Sequence, residues 1–258
     1  MIGQLKDINT PGDKKIYFAS DFHLGAPSSE ASLVREKKVV NWLKRIKKDA
    51  GHIFILGDIF DFWFEYKYTI PKGFTRLQGA LMALRDENIP VTFFTGNHDM
   101  WMFHYFQDEF AIPVYRNPAR VIINNKKFLI GHGDGLGPGD KKYKIIKKVF
   151  ENPVSQWAFK WLHPDIAFKM ANSLSKRSRI MNLIKDDKFK GDDEWLYQYC
   201  KEMEKREHHD YYIFGHRHLP FIIDINSVSK YMNLGDWVFS YTYGEFNNNE
   251  MHLKHYIP

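Results

Sequence analysis

The chain has 258 residues, 44% hydrophobic and 16% aromatic, enough for a packed core and too apolar for a disordered polymer. Its single cysteine, Cys200, excludes an intrachain disulfide framework, fits a reducing compartment and reads as a small buried hydrophobe, not a nucleophile. Net charge is +6, and residues 141–190 alone hold 13 Lys and Arg against 4 Asp and Glu, which suggests either an anionic partner or a solvated helix face.

Residues 1–15 are polar and lack the apolar core of a signal peptide. No stretch approaches the about 18 apolar residues that cross a bilayer, so the sequence predicts a cytoplasmic protein. An apolar, β-like run at 16–19 is followed by Asp21-Phe22-His23, and a helical pattern covers 29–48. A second run, 53–56, leads to Gly57-Asp58-Ile59-Phe60-Asp61, and a helix is expected over 74–88. A third, 91–94, precedes Gly96-Asn97-His98-Asp99. Asn124-Asn125 reads as a tight turn between strands 121–123 and 127–130. The second of these strands ends at Gly131-His132-Gly133. Residues 138–207 show no strand and read as helices broken at Asn152-Pro153 and His163-Pro164. The run 211–214 then leads to Gly215-His216-Arg217-His218, with further strands expected at 221–225, 231–233, 237–243 and 251–257. Strands alternating with helices imply a mainly parallel sheet interrupted by a helical insertion. If the five strands share one sheet, their ligand clusters converge at its edge.

Asp and His at alternate positions, as in Asp21-x-His23 and His216-x-His218, lie on one side of an extended segment and can reach one metal. Gly57 lets the chain turn sharply into Asp58, whose two carboxylate oxygens can bridge two cations. Asn97 offers a carbonyl oxygen and His132 an imidazole nitrogen. Oxygen and nitrogen ligands without thiolate favour Mn²⁺, Fe²⁺, Zn²⁺ or Mg²⁺. A pair of ions about 3.5–4 Å apart would suit a two-metal hydrolase.

In this order the motifs resemble the calcineurin-like metallophosphoesterases. The resemblance covers residues 16–218. It implies an α/β, four-layer metallophosphoesterase sandwich, two mixed β-sheets flanked by helices, with an inserted helical cap; residues 1–137 and 208–258 form the core and 138–207 the cap. It further implies that Asp21, His23, Asp58 and His218 hold one ion, and that Asp58, Asn97, His132 and His216 hold the other. A metal-activated hydroxide would attack phosphorus, with His98 stabilising the transition state or protonating the leaving group and Asp99 orienting His98.

Residues 18–25 (Phe-Ala-Ser-Asp-Phe-His-Leu-Gly), 57–63 (Gly-Asp-Ile-Phe-Asp-Phe-Trp), His132-Gly-Asp134 and Gly215-His-x-His-x-Pro220 are similar to the UDP-2,3-diacylglucosamine hydrolases of lipid A biosynthesis. That resemblance implies cleavage of the pyrophosphate of a UDP-linked diacylated sugar to UMP and the lipid monophosphate (lipid X), with two ions, usually Mn²⁺, at the inner face of the inner membrane. Asp140, Tyr143, Asn172, Ser173, Lys176, Arg177 and Arg179 would then contact substrate. One departure concerns substrate: the proteobacterial branch has Arg where this chain has His98. Phe150, Trp157, Phe159, Trp161, Leu162, Ile166, Phe168 and Met170, interleaved with basic residues, read either as ordinary core packing or as an apolar floor with a cationic rim. The alternatives are a phosphoesterase acting on a nucleotide, phosphoprotein or another phospholipid, and a nuclease or nucleic-acid-binding module, for which no recognisable motif is present.

Overall fold

The computed structural model describes residues 2–139, 141–171, 173 and 188–258. Two six-stranded sheets form its centre. One has the order β12-β11-β2-β3-β4-β5 and the other β1-β6-β7-β8-β10-β9. The first contains β2 (Lys15–Ala19), β3 (Ala50–Leu56), β4 (Val91–Phe94), β5 (Val114–Tyr115), β11 (Thr242–Asn247) and β12 (Glu250–His255). The second contains β1 (Gly3–Gln4), β6 (Ala119–Ile123), β7 (Lys126–Ile130), β8 (Tyr211–Phe214), β9 (Pro220–Asp224) and β10 (Lys230–Leu234). Both mix parallel and antiparallel pairs: β2-β3-β4-β5 run parallel while β11 pairs antiparallel to β2, and β7-β8-β10 run parallel while β6 and β9 pair antiparallel.

The strands read as unbroken apolar runs because both faces are covered. Ile16 and Phe18 of β2, Phe54 and Leu56 of β3, and Phe94 of β4 point between the sheets, where they meet Phe128, Ile130, Ile213 and Met232. Phe18 stacks on Phe54 at 5.2 Å and on Phe128 at 6.0 Å. The alternate residues Tyr17, Ala19, Ile53, Ile55 and Phe93 pack outward on α1 (Ser29–Ile46), α2 (Thr75–Asp86) and α3 (Tyr105–Phe110). The helix α1 starts where the Ser28 side chain accepts from the Ala31 amide, and its stripe Val39, Trp42, Leu43 and Ile46 faces the sheet.

The two mixed sheets flanked by helices are those expected, and the five ligand-bearing strands are divided between them. Three lie in one sheet and two in the other, and the clusters converge at a rim common to both. An apolar run reports burial on two faces but not the neighbour across the ladder. The expected strand 237–243 begins only at Thr242. Asp236 Oδ1 accepts from the amides of Val238, Phe239 and Ser240 at 2.8–3.0 Å, a side-chain-held turn that sends Trp237 into the core. Asn124 and Asn125 both take positive φ, as a tight hairpin turn needs.

The insertion begins with α4 (Lys141–Glu151) and α5 (Pro153–Lys160), the latter capped by Asn152 with proline in its first turn. Residues 164–171 form α6 and Trp195–Arg206 form α7. Although α7 falls inside the span expected as cap, its Leu196, Cys200 and Met203 pack on Leu129, Tyr212 and Tyr231, so it is the outer layer of the second sheet. The Cys200 thiol is buried there and pushed well above its usual range by that burial. No helix among the described residues is long and apolar enough to cross a membrane.

Trp42 is fully buried against Tyr17, Trp237 and Tyr243, with centroids 5.1–6.4 Å away. Trp42→Ala should lower unfolding free energy by about 3–5 kcal/mol in urea denaturation. A loss below about 1 kcal/mol would show that this layer is not the packed core described.

Candidate metal centre

The five clusters occupy the loops that leave the C-terminal ends of β2, β3, β4, β7 and β8. These loops turn sharply: Asp21, His23, Asp58, His216 and His218 have φ between 44° and 67°. Left-handed backbone costs a residue with a Cβ roughly 1 kcal/mol or more. Glycine is required where backbones cross. A Cβ on Gly57 would stand 2.7 Å from the Gly96 nitrogen and the His132 ring, and one on Gly96 would collide with the Asp58 carboxylate.

Two donor sets meet at Asp58. Asp21, His23, Asp58 and His218 offer ligand atoms within 4.8 Å of one another, and so do Asp58, His132 and His216. His218 Nε2 lies 3.2 Å from Asp21 Oδ1, and His23 Nε2 lies 3.6 Å from Asp58 Oδ2. His132 Nε2 lies 3.3 Å from Asp58 Oδ2 and 3.3 Å from Asn97 Oδ1. Donors at about 2.0–2.2 Å from one ion stand roughly 3–3.6 Å from each other, so these spacings fit shared cations. Buried Asp21 Oδ1 has the His218 and His23 imidazole nitrogens at 3.2 and 3.8 Å but no hydrogen bond of good geometry, a costly state that an ion would relieve. The all-oxygen-and-nitrogen donor set fits divalent ions.

The far nitrogens of His132 and His218 are held by groups that keep Nε2 facing the centre: His132 Nδ1 lies 2.8 Å from the Leu56 carbonyl and His218 Nδ1 3.4 Å from Asp236 Oδ2. His23 Nδ1 stands 3.6 Å from Asp61 Oδ1, near its charge but beyond hydrogen-bond reach. Buried Arg35 on α1 donates to the carbonyls of Phe22, His23 and Ala26, fastening the first loop from behind.

His98 donates its amide to Asp58 Oδ1 at 2.9 Å, and its ring crosses that of His23 edge-on at 4.8 Å. The Asp99 carboxylate, expected to orient His98, is engaged by backbone amides. Asp99 accepts from the amides of Gly96 and Ile59, both at 2.7 Å, and so locks two ligand loops together. The Asp61 carbonyl lies 3.0 Å from His98 Nδ1 and fixes that side of the ring.

The electrostatics of the centre favour positive charge. Burial opposes charge on His132 and His218, yet Asp58 and Asp21 respectively outweigh it and raise each imidazole to about 10. Burial likewise opposes the charge on Asp21, but His218 and His23 hold it well below the usual carboxylate range. Burial and then the neighbouring His132 push His216 down to about 4, and burial and then Asp58 push Asp99 up to about 7. The carboxylates thus draw positive charge to the positions of His132 and His218.

Among the expected substrate contacts, the Tyr143 hydroxyl lies 2.5 Å from Asp134 Oδ2, which also accepts from Lys147 at 2.7 Å. Ser173 is helical and exposed. Asp140, Asn172, Lys176, Arg177 and Arg179 lie outside the described residues. Sequence reasoning assigns no role to Asp61, Asp134 or Asp236. The first two sit within the recognised motifs, whereas Asp236 stands in none and only the Gly235-Asp236 turn signal marks it.

Asp58→Ala should remove both ions, read as metal content after purification in Mn²⁺; two retained ions would contradict a shared carboxylate. His132 and His218 hold protons at neutral pH in the cation-free protein and must lose them to ligate. Metal binding should therefore release protons into weak buffer, and affinity should climb as pH rises toward about 10. Affinity that is flat between pH 6 and 8 would show that His132 and His218 carry no protons to displace.

The sequence pattern of calcineurin-like phosphoesterases matches residues 14–220. The chain is 34% identical over 253 residues to the UDP-2,3-diacylglucosamine hydrolase of Porphyromonas gingivalis, covering 93% of this chain and 97% of that protein. It is 29% identical to the enzyme of that name from Proteus mirabilis, over 85% of this chain and 90% of the other, and 27% identical to that of Vibrio parahaemolyticus, over 88% and 90%. With this fold, these motifs and a donor set for two ions, the chain belongs to the calcineurin-like phosphoesterase family and is a metal-dependent hydrolase of phosphodiester or pyrophosphate bonds.

Proposed function

We propose that the protein cleaves the pyrophosphate of UDP-2,3-diacylglucosamine, giving UMP and 2,3-diacylglucosamine 1-phosphate, with Mn²⁺ in its metal centre. The observation that carries this reading is similarity to UDP-2,3-diacylglucosamine hydrolase along 93% of the chain, a span too long to leave out the insertion. The insertion itself supports an amphiphilic, anionic substrate. Phe159 of α5 is packed among Phe62, Phe64 and Trp101, and Phe168 meets Phe62 at 5.3 Å. Around that anchor Trp157, Trp161, Val154 and Ile166 are 60–75% exposed, beside lysines of α4 and α5. Such a surface suits acyl chains and peripheral contact with the inner face of the inner membrane.

Two divalent ions would lower the pKa of water and neutralise charge on a phosphoryl group. The protein's part is positioning. Asp58 fixes the spacing of the two donor sets, Asp61 and Asp236 aim the histidines, and His98 stands beside both sets to meet the phosphoryl oxygens. His98 also motivates a second reading, a phosphoesterase with another substrate, because the proteobacterial branch of the resembled enzymes carries Arg at that position.

His98→Ala should retain fold and metal content while kcat falls about 10²-fold or more; loss of metal with unchanged kcat at saturating Mn²⁺ would make His98 a ligand. Neutralising Lys176, Arg177 and Arg179 together should raise KM for the diacylated substrate, at about 1–3 kcal/mol for each charge-assisted contact. Hydrolysis of bis(p-nitrophenyl) phosphate, which needs only the metal centre, should barely change. Equal losses on both substrates would mean that the insertion supports the metal centre structurally, and equal turnover of UDP-glucosamine without acyl chains would favour the second reading.

A further inference from the structure

We infer that the Glu194–Arg217 ion pair is a positioning brace for the metal centre: it ties the point where the chain returns from the insertion to the loop that supplies His216 and His218. The inference rests on the metal centre proposed above. Arg217 stands between the two ligands. Its Nε and a terminal nitrogen donate to the two carboxylate oxygens of Glu194 at 2.6 and 3.0 Å, and the side chains are only 12% and 5% exposed. A two-point contact of this kind fixes direction as well as distance.

The loop needs such a hold. His216 and His218 both have left-handed backbone, at φ 67° and 53°. Sparsely populated conformations persist only where the surroundings over-determine them. Several restraints meet here, three of them on the stretch from Gly215 to Arg217. The His216 amide donates to Asp21 Oδ2 at 3.0 Å, Asn233 Nδ2 donates to the Gly215 carbonyl at 2.5 Å, and Arg217 is gripped by Glu194. The first two come from the sheet core, whereas the third comes from the insertion.

Glu194 is itself firmly placed. It occupies the cap position of α7 without a side-chain cap hydrogen bond, which leaves its carboxylate to Arg217, and the next turns are anchored by Leu196 and Cys200. The chain enters the insertion against the same point. A Cβ on Gly137 would collide with the Trp195 carbonyl, and one on Gly139 with the Trp195 ring. Entry and exit of the insertion therefore form one neck, and the brace runs from that neck to two ligands, one in each donor set. Loosening it should weaken both ion sites together.

The test is Mn²⁺ affinity of the purified full chain, measured by competition with a chromophoric chelator, with thermal unfolding of the metal-free protein recorded in parallel. Glu194→Gln and Arg217→Lys each break the two-point contact, and Glu194→Asp keeps its charge but shortens its reach. Each should weaken Mn²⁺ binding about 10–100-fold, the usual effect of losing a group that orients metal ligands. The exchange Glu194→Arg with Arg217→Glu should recover part of that loss. Asp192→Asn, which removes an exposed ion pair with Lys201 nearby, should leave affinity unchanged. Wild-type affinity in Glu194→Gln and Glu194→Asp, with only the unfolding temperature lowered, would reduce the pair to a fastening of α7 and overturn the inference. A wild-type chain that binds no Mn²⁺ would instead defeat the metal-centre reading itself.

Discussion

The Asp58 carboxylate is the constraint around which the molecule is arranged. It is buried at the rim where two sheets meet, and ligand groups from both sheets face it. His23 reaches it from the first sheet and His132 from the second, while His98 donates an amide to its other oxygen. A buried carboxylate is tolerable only when positive charge and donors surround it. The neighbouring histidines supply these as imidazolium in the cation-free protein. Two cations can take over from the protons, and that exchange couples the centre to pH.

The same constraint dictates the backbone. Bringing five loops onto one carboxylate requires abrupt turns at strand ends, and five ligand residues accept left-handed conformations to make them. Glycines stand where Cβ atoms would otherwise separate the loops. Groups behind the ligands hold the strain in place: Arg35 on the first loop, Asp99 between the second and third, Asp236 and Glu194 on the last. Rigidity of the sheets is therefore part of the chemistry, because a strained ligand loop keeps its geometry only on a support that does not yield.

Much of this arrangement is legible in the amino-acid sequence. Each ligand cluster follows an apolar run, and alternate Asp and His on extended chain point to one metal whatever the sheet order. Partition between two sheets is not legible from the residues, since Phe54 and Phe128 read alike in sequence though they belong to different sheets that share one interface. The turn at 236–240 is hidden because aromatic Trp237 and Phe239 imitate a strand, while the determinant, a single aspartate accepting three amides, is a local geometry. Glu194 and Arg217 are 23 positions apart and carry no motif between them, so only the fold brings them together. Residues 195–206 read as cap because they are helical and follow a basic segment. Their apolar stripe belongs to the sheet they cover.

The central claim is that one carboxylate serves two ions. Crystals grown with Mn²⁺ and measured at the manganese absorption edge test it most directly. Two anomalous peaks about 3.5–4 Å apart, with Asp58 between them and His132 and His218 on separate ions, are the expected result. A single peak, or two peaks neither of which touches Asp58, would contradict the account.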